Sequence, residues 1–145
     1  MTEIAFHFNA PDRFGHICRV VRKALRQDAR IVIAGDRKAL LRLDRMLWFL
    51  EPSDFVAHCL EDAAADVVEA SPVLLTETPL ACSHRQVLIN AGEGVPEGFA
   101  EFARVIEVVP QADPQERAQA RQRWRQYQAG GFAIVRHDLV GGARE

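Results

Sequence analysis

The chain has 145 residues, 48% of them hydrophobic and 26% charged, and a formal net charge of -2. That length suits one domain with a real core. The slightly acidic balance excludes strong nonspecific polyanion binding by bulk charge, so any hold on nucleic acid or an acidic peptide must rest on a local patch.

Ile4 to Phe8 is rich in β-formers and predicts a first strand. Asn9-Ala-Pro11 then opens a helix, with proline suited to its first turn. Phe14, Ile17, Cys18, Val21 and Leu25 follow helical spacing and form its buried stripe. The run Arg30-Ile-Val-Ile-Ala-Gly35 has the look of a strand buried on both faces, as in a parallel sheet. Asp36 caps the next helix, whose inner face is Leu40, Leu43 and Leu47. Beyond the turn at Glu51-Pro-Ser-Asp54, Phe55 to Leu60 predicts a short strand and Glu61 to Ala70 a loop or weak helix. Pro72 to Thr76 and Gln86 to Ile89 are two more strands, followed by a glycine-rich loop from Asn90 to Gly98. Phe99 and Phe102 sit on a short helix or turn, and Val105 to Val109 is a buried strand stopped by Pro110. Asp113-Pro-Gln-Glu116 starts a helix with a capping carboxylate and a first-turn proline. That helix runs to about Gln128, with Gly130 able to end it, and Phe132 to Leu139 is the last strand. Strands alternating with helices, without repeats or linkers, predict a single α/β domain over residues 1–145 with a mostly parallel, helix-covered sheet.

Catalytic signatures do not emerge. The glycines at 92, 94 and 98 do not have dinucleotide-loop spacing, Pro96 removes an amide donor, and no phosphate-loop motif exists. His58 and Cys59 are neighbours on a predicted strand and point to opposite faces, and no second half of a zinc signature appears. Ser71, Ser83 and the cysteines at 18, 59 and 82 lack a nucleophile motif. The sequence therefore predicts neither an enzyme nor a cofactor or metal. Its cysteines, without a CxxC, and its N-terminus, without a basic leader or a long apolar run, predict a cytoplasmic protein. No stretch approaches the roughly 18 apolar residues of a membrane span.

Two stretches carry binding chemistry. In the helix segment ARQRWRQYQAGGF, Ala120 to Phe132, arginines and aromatics are interleaved. At about 100° per residue, Arg117, Arg121 and Trp124 fall on one stripe, with Arg123, Arg125 and Tyr127 on other faces. Two guanidinium forks ending on an indole suit an acidic partner that also carries an apolar group. The same stripe also reads as a core tryptophan among solvated arginines, or as a single-stranded nucleic-acid footprint. The second stretch crowds Trp48, Phe49, Leu50 and Phe55 at a helix end, where part of them would form an exposed apolar patch.

Together with IAFHFN at the N-terminus, RLDRMLWFLEPSDFVAH (Arg42 to His58), RQVLIN (Arg85 to Asn90) and FARVIEVVP (Phe102 to Pro110), these stretches give a resemblance over nearly the full length. The chain resembles the chi subunits of bacterial DNA polymerase III, accessory proteins of the clamp loader. The resemblance implies a nucleotide-binding-like fold without a nucleotide site, a place in the nucleoid-associated replisome, and two partners. One is the acidic C-terminal tail of single-stranded DNA-binding protein, ending in phenylalanine. The positions matching its site are Arg117, Arg121 and Trp124, the last standing where relatives carry tyrosine, with Val109 lining the pocket. The other partner is the psi subunit, whose interface would centre on Phe55 with Trp48 close by. DNA would be reached only indirectly.

Overall fold

The computed structural model describes residues 2–49 and 57–140 of the chain. Seven strands form one parallel sheet in the order β3-β4-β2-β5-β6-β1-β7. They are β1 (Glu3–Ala10), β2 (Ile31–Ala34), β3 (His58–Leu60), β4 (Val73–Thr76), β5 (Val87–Asn90), β6 (Arg104–Pro110) and β7 (Ile134–Asp138). The helices are α1 (Arg13–Leu25), α2 (Arg37–Phe49), α3 (Ala65–Ala70) and α4 (Pro114–Ala129). Every residue of β2, β4 and β5 is buried, which is why these strands are written as unbroken apolar runs rather than alternating ones.

Strand alternation divides the core in two. Ile31, Ile33, Val73, Leu75, Ile89 and Ile106 point to a layer shared with Ile17, Cys18 and Val21 of α1 and Leu40, Leu43 and Leu47 of α2. Ile4, Phe6, Val32, Leu88, Val105 and Val109 point the other way, to Ala120 and Tyr127 of α4 and to Phe102. The helices following the adjacent strands β1 and β6 thus leave toward opposite faces. In open α/β sheets such a divergence is where ligand crevices form.

Several boundaries differ from the sequence reading. β1 runs two residues past Phe8, because after an irregularity Ala10 pairs with Pro110. Asn9 takes the left-handed φ of 63° that the irregularity requires. Pro11 accordingly precedes α1, whose N-cap is Asp12. Pro110 is the last residue of β6 rather than a stop before it. Glu61 to Ala70 contains a six-residue helix with no buried residue. Asp36 and Asp113 cap α2 and α4 as anticipated: Oδ1 of each accepts from the backbone N–H three residues on, at 2.8 Å for Ala39 and 3.1 Å for Glu116. Phe55 lies outside the described residues, and the strand predicted around it is described only from His58.

Candidate partner-binding site

The position of α4 is set by a buried charge. Glu107 sits in the middle of β6, facing α4, and is 0% exposed. It accepts from Arg123 Nε at 2.8 Å, Tyr127 Oη at 2.6 Å and Asn90 Nδ2 at 2.9 Å. A buried carboxylate is tolerated only with such a complete set of partners. The same carboxylate, after burial itself, raises the Tyr127 hydroxyl pKa, so Tyr127 remains a donor. Arg123, 2% exposed, also donates Nη1 to the Glu93 carbonyl at 2.7 Å.

This arrangement extends into the glycine loop after β5. Arg13 Nη2 donates to the carbonyls of Asn90, at 3.3 Å, and Gly92, at 2.9 Å, while Asn90 Nδ2 donates to that of Gly94 at 3.0 Å. Burial, and then the neighbouring charge of Arg123, lowers the Arg13 pKa. The loop therefore turns carbonyls toward buried arginines, and the Gly92 N–H is taken by Asn90 Oδ1 at 2.9 Å. A phosphate cradle needs the opposite polarity, amides facing the ligand. Between α1 and α4 lies a cleft of about 600 Å³. It is lined by Arg13 and Arg42 but also by Asp12, Asp113 and Glu116, a mixed charge that does not select a polyphosphate.

With Arg123 and Tyr127 turned inward, the other side of α4 faces solvent. Arg121 is exposed and makes no hydrogen bond or ion pair among the described residues. Trp124, one turn on, is half-buried: its ring lies edge-on to Phe6 at 5.0 Å and tilted to Phe8 at 6.0 Å. The indole is therefore both edge of the core and surface, which joins two alternatives the sequence left open. Val109 belongs to the core layer on which Trp124 packs and is 3% exposed, a floor more than a wall. Arg117 is half-buried, and its Nη1 donates to the carbonyls of Pro110 at 3.1 Å and Gln111 at 3.4 Å and to Asn9 Oδ1 at 3.5 Å. It braces the end of β6 as well as facing the surface.

The second stretch lies at the end of α2. Trp48 is 49% exposed with its ring 4.9 Å from that of His58, and Phe49 is 75% exposed. Leu47 alone of this trio turns into the core. His58 Nε2 is 3.1 Å from Asp44 Oδ1. Among the described residues no group of three or more metal-binding side chains could hold an ion, and no helix is long and apolar enough to cross a membrane.

The family described as DNA polymerase III chi subunit, HolC, matches residues 1–135. The chain belongs to this family. Membership places it among subunits of DNA polymerase III and hence in DNA replication. It is 31% identical over 123 residues to the DNA polymerase III subunit chi of Pseudomonas aeruginosa, covering 84% of this chain and 83% of that protein. The chi subunit of Haemophilus influenzae is 27% identical over 126 residues, 81% of each chain. That of Escherichia coli is 29% identical over 120 residues, 81% of this chain and 80% of that protein.

What the sequence reading of this chi-family chain missed is the Glu107–Arg123–Tyr127 set. Its signal was present: one glutamate inside Val-Ile-Glu-Val-Val demands a buried partner, and Arg123 and Tyr127 are four apart on one helix face. Arg136 of β7 was also missed. Its guanidinium lies 5.6 Å over the Phe8 ring and 5.9 Å over the Trp124 ring. No spacing rule relates residue 136 to residues 8 and 124; only the parallel pairing of β1 with β7 does.

Proposed function

We propose that the chain is a non-catalytic adaptor of the replisome. It binds the acidic C-terminal tail of single-stranded DNA-binding protein and links it to the clamp loader through the psi subunit. Arg121, Arg117, Trp124 and the underlying Val109 form the tail site, and Trp48 with Phe55 the psi side. The observation that carries the reading is an exposed guanidinium, Arg121, with no partner among the described residues, one turn from an indole whose body is anchored in the core. Such a pair takes a carboxylate and an adjacent apolar side chain at once, on a helix already held rigid by Glu107. Direct stacking of nucleic-acid bases is less favoured, because the Trp124 ring is already flanked by Phe6, Phe8 and Arg136.

Arg121→Ala should weaken a labelled tail peptide by about tenfold or more, since a charge-assisted hydrogen bond is worth about 1.5–3 kcal/mol. Fluorescence anisotropy reads this directly. An affinity unchanged by Arg121→Ala would remove Arg121 from the site.

A further inference from the structure

We propose that Arg136 is a specificity-determining residue of the same site. It supplies from β7 a second cation for the tail's acidic residues, beside the one α4 supplies through Arg121. The inference rests on the tail-binding reading. Strand alternation puts Ile134, Arg136 and Asp138 on the face of β7 toward α4, with Arg136 opposite Phe6 in the ladder. The guanidinium carbon lies over both the Phe8 and Trp124 rings, and its N–H donors have no partner among the described residues. Arg117, which the resemblance places in the tail site, has its Nη1 drawn to the Pro110 and Gln111 carbonyls.

Two forks without a partner among the described residues thus come from two elements, Arg136 over the indole and Arg121 one turn before it on α4. A chain end whose terminal carboxylate and upstream acidic run lie on either side of an apolar pair finishing in phenylalanine fits that arrangement. Among the described residues β1 is the only strand paired with β7, which makes β7 the edge strand of the sheet there. The nearest carboxylate on that face of the strand, Asp138, already accepts from Asn9 Nδ2 at 2.9 Å and from the Val140 N–H at 3.1 Å, which ties it down beside the arginine.

The test is tail-peptide anisotropy with the full chain as wild type, Arg136→Ala, Arg136→Gln and a control, Arg19→Ala, on α1 of the opposite face. Thermal melts check that each variant is folded. Both Arg136 variants should lose about two- to fivefold in affinity and show a shallower salt dependence, with Arg19→Ala unchanged. Wild-type affinity in both variants would overturn the role of Arg136 and leave the tail site standing. No binding of the peptide by the wild type would overturn the tail reading and this inference with it. Loss of oligothymidylate binding alone, with the peptide unaffected, would assign Arg136 to nucleic acid and overturn the proposal.

Discussion

Removing the buried carboxylate tests what holds α4 to the sheet. In Glu107→Ala, the guanidinium of Arg123, 2% exposed, loses the partner at 2.8 Å that justifies its burial. Tyr127 Oη and Asn90 Nδ2 lose their acceptor in the same step. Breaking a buried pair from one side costs about 3–5 kcal/mol, much of it the uncompensated remaining charge. For a chain of this length each kcal/mol moves the melting temperature by roughly 2–4 °C, so Tm should fall by on the order of 10 °C. Urea unfolding and calorimetry measure the loss. Glu107→Leu combined with Arg123→Met should recover part of it, because the stranded charge is gone while the Tyr127 hydroxyl still lacks an acceptor. A Glu107→Ala protein within about 1 kcal/mol of wild type would refute the view that this network fixes the helix.

Other consequences follow from single features. His7 and His16, with 2.8 Å between Nδ1 and Nε2, are both lowered to about 4, first by burial; for His7 the charges of His16 and His137 come next, and for His16 that of Arg19. Native protein then binds fewer protons than unfolded protein between about pH 6.5 and pH 4, so their stabilising effect is complete above pH 6.5 and is lost as pH falls toward 4. His7→Gln/His16→Gln should lose less stability between pH 7 and pH 5 than wild type in urea titrations; an equal loss would contradict the assignment. Gly98 has a φ of 81°, and a Cβ there would lie 2.5 Å from Leu80 side-chain carbons. Gly98→Ala should therefore cost about 1–3 kcal/mol, read from the same titrations. Trp48→Ala should reduce co-purification with psi while leaving tail affinity unchanged, since Trp48 is on α2 and the residues proposed for the tail are on α4, β6 and β7.

The architecture was legible because its determinants are local. The unbroken apolar run at β2 signalled a strand buried on both faces, and capping carboxylates at Asp36 and Asp113 marked two helix starts. Less legible was what depends on pairing across the sheet. β1 extends to Ala10 only because Pro110 lies beside it, and Pro11 as a helix opener was a reasonable local reading that this pairing displaces. The α4 stripe was likewise assembled from angular spacing. Spacing put Arg117, Arg121 and Trp124 on one arc but gave no account of Arg117 turning toward the Pro110 carbonyl or of Arg136 arriving over the indole. The first is a local contact from α4 back to the end of β6; the second follows from β7 flanking β1, a fact that no short window of sequence contains.

The adaptor reading meets its most direct test in anisotropy of the wild-type chain with a labelled peptide of the single-stranded DNA-binding protein tail, against the same peptide lacking its final phenylalanine. Saturable binding that requires that phenylalanine and weakens with added salt is the predicted result. Equal binding of the two peptides, or binding of neither, would contradict it.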